Sequence, residues 1–320
     1  MSGRIRLGFL TPSSNTVLEP VTTAILDDLP EVTAHFARFR VTEISLTPDA
    51  LAQFDPSEIL RSAELLSHAK VDVIAWSGTS SSWLGFEHDA NLCERIRATT
   101  GVPACTAVLA LNELLSATGV QRLGLITPYR DDVQARIVAN YQAAGFSIVS
   151  ERHLGISDNY AFAEEPPDRI EALIRAVAAE KPDAIAILCT NMRGAPLVSE
   201  LEAEYGIPIH DSVAVTVWKS LKLAGIEAIG FVCAWVDVDD DMLVREEARA
   251  HGYVSDIFVT VPWRRHGVAR ALLAAVETHM RARGCARLRV ASKAANLAAM
   301  ACYEAAGFRP YEVIFSKTLE

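Results

Sequence analysis

Cys189-Thr190-Asn191 closes an apolar run with a thiol, a hydroxyl and an amide on consecutive residues. A thiol beside an acidic carbon can protonate it, or can attack an alkene as thiolate. A related ending occurs earlier in the chain, where an apolar run passes into Ser77-Gly78-Thr79-Ser80. Without a gap, residues 71–80 (VDVIAWSGTS) and 182–191 (PDAIAILCTN) match Asp72 with Asp183, Ile74 with Ile185, Ala75 with Ala186 and Thr79 with Thr190. Gly101-Val102-Pro103 follows the first copy and Gly206-Ile207-Pro208 the second. This repeat implies two related halves whose equivalent strand ends meet at one cleft. Gly78 then stands opposite Cys189, so one wall carries a thiol and the other has none.

A turn after a strand leaves backbone N–H groups free, and these bind carboxylate oxygens without a full positive charge. The hydroxyls of Ser14, Thr79, Ser80 and Tyr129 add neutral donors. When an α-carbanion or enediolate develops on a bound acid, preorganised donors of this kind stabilise the new charge.

Elements must place these residues at one edge. Strands are expected at 5–10, 72–77, 122–127 and 183–188, with helical spacing in segments such as 56–69 and 106–117. Strand and helix in alternation imply an α/β fold of parallel sheets, with the ligand crevice beyond the carboxyl ends of the strands. The 320 residues suffice for two domains, and 50% hydrophobic residues give a real core. A formal net charge of −10 argues against general nucleic-acid binding. Six cysteines without C-x-x-C spacing suggest neither a zinc site nor a redox pair. No secretory signal and no apolar run near the roughly 20 residues of a membrane helix are seen, so a reducing cytoplasm is the expected setting. Cys93 and Cys105 fit structural positions, as do His88 and His210.

Thr11-Pro12-Ser13-Ser14-Asn15-Thr16, Gly78-Thr79-Ser80, Thr127-Pro128-Tyr129 and Cys189-Thr190-Asn191 together resemble the aspartate/glutamate racemase superfamily. The likeness is greatest to its maleate cis-trans isomerase and arylmalonate decarboxylase branches and covers about residues 5–226. It implies two pseudo-symmetric parallel-sheet halves around a cleft, in a first domain of residues 1–227. It also implies chemistry without a metal or organic cofactor on a small dicarboxylate. Members with two opposed cysteines racemise by moving a proton from one face to the other; Gly78 departs from that pattern. Gly78-Thr79-Ser80 resembles the decarboxylase, where one cysteine protonates the carbanion left by carbon dioxide. Asn15 and Asn191 resemble the isomerase, and Asn159 is implied as a further carboxylate contact. The roles carried over are catalytic for Cys189, Tyr129, Thr79 and Ser80. They are substrate-binding for Ser14, Asn15, Gly78, Asn159, Thr190 and Asn191. Decarboxylation, isomerisation and non-catalytic binding of a small acid stay open at this point.

From about residue 228 the pattern changes. Two strands are expected at 229–237 and 253–260, joined by an acidic turn at Asp237-Val238-Asp239-Asp240-Asp241. Arg264-Arg265-His266-Gly267-Val268-Ala269 then opens a helix, and a helix N-terminus presents N–H groups to an anion. With Asn296, Tyr303 and Glu304-Ala305-Ala306-Gly307-Phe308, this stretch resembles the acetyl-CoA half of GNAT-type N-acetyltransferases. That resemblance implies acetyl-CoA binding by residues 264–269 and Asn296, with Tyr303 protonating the departing thiolate. A partial α+β module of residues 228–320 is implied, because the family's N-terminal strands have no counterpart here. A half-domain exposes a sheet edge, which favours homo-oligomer formation.

Overall fold

A computed structural model describes residues 4–226, 230–238, 250–259, 264–292 and 296–310. It divides into two compact units, Met1–Ile226 and Glu227–Glu320.

The first unit holds two four-stranded sheets, each wholly parallel. β1 (Ile5–Pro12), β2 (Val32–Phe39), β3 (Val73–Trp76) and β4 (Ala104–Thr106) run in the order β2-β1-β3-β4. β5 (Arg122–Thr127), β6 (Ser147–His153), β7 (Ala184–Ile187) and β8 (Ile209–Asp211) repeat it as β6-β5-β7-β8. The two halves have the same topology, as the internal repeat implied. Strands β3 and β7 are buried along their whole length, which explains why they read as continuous apolar runs rather than alternating ones.

The matched residues do matched work. An Asp72 carboxylate oxygen accepts the Arg6 N–H at 2.7 Å, and one of Asp183 accepts the Arg122 N–H at 2.8 Å. Each aspartate thereby fixes the start of its half's first strand. Gly101 and Gly206 both take left-handed backbone at the ends of helices Phe86–Thr100 and Val198–Tyr205, where a side chain would be strained. The Pro103 and Pro208 carbonyls then accept the N–H groups of Ile74 and Ile185.

One core runs through both halves, joining Trp76, Trp83 and Leu111 to Tyr129, Tyr141 and Leu188. A second packs Val213 and Val217, from the last helix of the second half, against Leu7, Phe9 and Val73 of the first. The halves therefore share one apolar interior, which holds their strand ends at a fixed separation.

In the second unit β9 (Gly230–Val238) pairs antiparallel with β10 (Ala250–Val259), and β11 (Leu288–Val290) lies parallel to β10. Helix Val268–Ala282 packs Leu273, Val276 and Met280 around Val254. The expected strands at 229–237 and 253–260 correspond to β9 and β10; Ile229, Thr260 and the acidic turn from Asp239 lie outside the described residues, as do Glu227 and Ala228 at the junction. No helix among the described residues is long and apolar enough to cross a membrane.

Candidate active site

The carboxyl ends of β1, β3, β5 and β7 surround one small cavity of about 20 Å³. Its polar side is formed by Gly78, Thr79, Ser80, Tyr129, Asn159, Cys189 and Thr190. Its apolar side is formed by Pro12, Val41, Ile44, Phe54, Trp76 and Trp83. No charged side chain is among these residues. The volume suffices for about one water molecule. A dicarboxylate enters only if a wall moves.

The segment 41–54 contributes Val41, Ile44 and Phe54 to that apolar side. It is fastened across the cleft by an antiparallel bridge between Glu43 and Asp158. That bridge consists of two hydrogen bonds, from the Ile44 N–H to the Ser157 carbonyl at 2.8 Å and from the Asn159 N–H to the Thr42 carbonyl at 3.0 Å. These two backbone hydrogen bonds join the loops, while Val41 and Ile44 pack into the core.

Cys189 follows β7 and is buried, with 2% of its surface exposed. Burial pushes its thiol up to about 12; the Asn191 N–H, 3.3 Å from Sγ, and the Tyr129 hydroxyl draw it down, while the Asp211 carboxyl adds to the rise. The resting group is a thiol, not a thiolate. Tyr129 follows β5, and its hydroxyl lies 2.6 Å from Thr79 Oγ1. Burial raises the Tyr129 phenol well above its ordinary value, so it acts as a neutral donor. Trp83 and Phe162 each meet the tyrosine ring edge-on, at centroid distances of 5.0 and 5.6 Å, and fix where that hydroxyl points.

Ser14, Asn15 and Asn191, expected to contact substrate, are not among the residues that line this cavity. Asn15 Oδ1 accepts the N–H groups of Val17 and Leu18 at 3.0 and 2.9 Å, capping helix Leu18–Leu26. Its Nδ2 donates to Thr190 Oγ1 at 3.1 Å, and that hydroxyl donates to the Ser77 carbonyl at 2.9 Å. Asn191 Oδ1 accepts the Thr16 N–H at 2.9 Å, and its Nδ2 donates to the Asn159 carbonyl at 2.5 Å. Ser14 Oγ accepts from Asn159 Nδ2 at 2.8 Å and donates to the Val41 carbonyl at 2.7 Å. These side chains bind the loops of the two halves together. Much of their hydrogen-bonding capacity is used within the protein, though Asn15 Nδ2 and Asn191 Nδ2 each make one bond of the two an amide can donate.

The apolar side was not found from sequence, and neither was Asp211. One signal was present. Trp76 stands two residues before Gly78, where the second copy has Ile187 before Cys189. The indole lies over Gly78 so closely that a Cβ there would be 2.0 Å from it. Space that a side chain at position 78 would need is filled by Trp76.

In the second unit, Arg264 Nε donates to the Val259 carbonyl at 3.0 Å, and its guanidinium lies 6.0 Å from the Phe258 ring centre. His266 Nδ1 is 3.0 Å from the Arg264 carbonyl, and the left-handed Gly267 opens the helix that includes Val268 and Ala269. Arg265 also has a left-handed backbone, so the loop turns sharply before the helix. Asn296 Oδ1 accepts the Ala299 N–H at 3.2 Å, which caps helix Leu297–Ala305. The Tyr303 ring packs 5.9 Å from that of Phe308.

Comparison with known proteins bears on both units. The family described as arylmalonate decarboxylase matches residues 17–232, and the acetyltransferase (GNAT) family matches residues 203–308. A maleate isomerase of Pseudomonas putida is 28% identical over 72% of this chain and 95% of its own. The arylmalonate decarboxylase of Bordetella bronchiseptica is 30% identical over 57% of this chain and 76% of its own. Among solved structures, a cysteine-to-serine mutant of Nocardia farcinica maleate cis-trans isomerase, with a covalently bound succinylcysteine intermediate, superposes with a TM-score of 0.65. It is 26% identical and covers 69% of this chain and 93% of its own.

Proposed function

The chain belongs to the arylmalonate decarboxylase family, and from that premise we propose that its first unit is a cofactor-independent, cysteine-dependent enzyme acting on a small dicarboxylic acid. Decarboxylation of a substituted malonate is the reaction the geometry supports best. A single observation carries this: the position opposite Cys189, Gly78, is closed to a second side chain by the Trp76 indole.

In that reaction, donors of the Thr79–Ser80 turn and the Tyr129 hydroxyl hold one carboxylate. The bond from the α-carbon to the other carboxylate breaks, and carbon dioxide leaves. The electron pair passes into the retained carboxylate as an enediolate, which the same donors stabilise. The Sγ–H bond of Cys189 then breaks as the proton moves to the α-carbon, and the thiolate recovers a proton from water. The apolar side of the cavity receives the malonate substituent. One thiol on one side delivers the proton to one face, so a malonate with two different substituents gives a product of single handedness.

Maleate isomerisation is the alternative, favoured by the likeness to maleate isomerases. It requires Cys189 as thiolate, a state that burial opposes. Incubation with phenylmalonate and, separately, with maleate decides between them, with carbon dioxide and fumarate as the products followed and Cys189→Ala as control. Carbon dioxide from phenylmalonate is expected. Fumarate alone overturns the assignment, and activity surviving in Cys189→Ala overturns the role of the thiol.

For the second unit we propose acetyl-CoA binding by the turn 264–269, with Asn296 and Tyr303 along the cofactor arm and a domain boundary near residues 227–228. The left-handed Gly267 opening a 15-residue helix supports this, because it leaves N–H groups free for a pyrophosphate. Thermal stabilisation by CoA that disappears in Gly267→Glu tests it. Self-association and a cytoplasmic setting complete the proposal. Sedimentation of the full chain tests the former.

A further inference from the structure

Asp211 is a buried carboxyl that the proposed reaction does not use, 1% exposed at the end of β8. Its Oδ1 caps helix Ser212–Leu223 by accepting the Val213 and Ala214 N–H groups at 2.8 and 3.2 Å. Its Oδ2 has no partner in strict hydrogen-bond geometry, although the Ala195 N–H lies toward the carboxyl and favours its charged form. An unsatisfied buried carboxylate oxygen is costly, and its retention calls for a physical reason.

The surroundings of that oxygen point to Cys189. Asp211 is the register partner of Ile187, the last residue of β7, and Ser212 Oγ donates to the Ile187 carbonyl at 2.6 Å. Two residues later comes the thiol. The chain after Cys189 then returns over the carboxyl: a Cβ on Gly194 would stand 3.1 Å from Oδ2 and 2.7 Å from Ile187 Cδ1. Glycine at 194 therefore permits the close approach. We propose that Asp211 is a positioning residue for Cys189, seating the 188–194 turn and setting a carboxyl charge behind it that opposes a thiolate at residue 189.

Other ionisable groups on the elements packed against β8 are accounted for. Glu202, on helix Val198–Tyr205, accepts the Ile209 N–H at 2.7 Å. Lys219, on helix Ser212–Leu223, is paired with Glu113. His210 precedes Asp211 and so points to the opposite face of the strand. Among the described residues Asp211 has no ion-pair partner. Burial pushes its carboxyl up to about 7, against the Ala214, Val213 and Ala195 N–H groups. The charge is thus absent in mild acid and present in mild base.

This inference rests on Cys189 being the reacting thiol, yet its test needs no substrate and stays informative if the substrate assignment fails. The rate of Cys189 alkylation by iodoacetamide is measured by peptide mass spectrometry in the full chain and in Asp211→Asn. Asp211→Ser, which keeps a capping oxygen, serves as a second variant should the first not fold. Below Asp211's titration both proteins carry a neutral side chain, so the ratio of variant to native rate is expected near one at about pH 5.5. Above it only the native protein is charged, and the ratio is expected to rise through about pH 7 to roughly tenfold, one unit of thiol acidity. Cys93 and Cys105, buried elsewhere, keep a flat ratio. A ratio at Cys189 that does not change with pH, whatever its size, reflects access alone and overturns the proposal.

Discussion

Gly78→Ala adds one methyl group to a place where the structure has no room for it. An ideal Cβ would stand 2.0, 2.4 and 2.5 Å from three carbon atoms of the Trp76 indole. Ordinary contact needs roughly 3.5 Å or more, so the ring or the turn must move by about 1.5 Å. The ring cannot yield freely, because Trp76 is buried and packs 5.1 Å from the Phe39 ring centre. Overpacking of this kind costs about 1–3 kcal/mol. Trp76→Ala removes the obstacle at its own cost of about 3–5 kcal/mol, mostly from the cavity left behind. In that background Gly78→Ala is expected to cost almost nothing. Urea unfolding of the two single variants and the double variant gives the coupling energy, expected at about 1–3 kcal/mol in favour of the double. Additive costs would refute the steric argument, and with it the claim that Trp76 keeps the wall opposite Cys189 free of a side chain. The same argument predicts that Gly78→Cys places no working second thiol unless Trp76 is also shortened.

Three other outcomes follow from the site. Tyr129→Phe removes the hydroxyl that bonds Thr79 and faces the thiol; kcat on the decarboxylation substrate should fall by about 10²–10³ while circular dichroism is unchanged. Asn191→Ala leaves the Thr16 N–H and the Asn159 carbonyl unpaired, so the first unit should lose about 2–4 kcal/mol by urea unfolding, with Asn191→Asp recovering only the acceptor half. His153 lies between Asp131 and Glu151, at 2.8 and 2.9 Å. Burial lowers its pKa, but these two carboxylates outweigh that and raise it above the usual 6.5. A raised folded pKa means the stabilisation is complete below about 6.5 and lost as pH rises through the folded value. Thermal unfolding of native protein against His153→Gln should therefore differ in mild acid and converge as pH rises past the raised folded value; a constant difference would remove the linkage.

Much of the first unit was legible in the chain. Strand 122–127 has the expected bounds, and the expected 183–188 is Ala184–Ile187. Period and punctuation suffice for this, because alternating apolar runs and helical stripes can bury themselves in few ways. The repeat went further: Asp72 and Asp183 do the same backbone work in each half. Cys189, Tyr129, Thr79 and Gly78 could be gathered at one cleft because residues just after parallel strands share one edge.

What each polar group does there was decided by tertiary structure. Asn15 and Asn191 have the chemistry of substrate ligands, but each also bonds a partner 175 residues away in sequence. No local pattern shows that. The apolar side of the cavity has the same cause, since Val41, Ile44 and Phe54 come from a segment that meets the other half only in three dimensions. The acidity of Cys189 depends on burial and on Asp211, neither of which is encoded near residue 189. The sequence by itself determined which residues reach the strand ends, because chain direction and period do so locally. Which of them remain free to meet a ligand was decided by long-range packing, because hydrogen-bond capacity and dielectric environment belong to the folded neighbourhood.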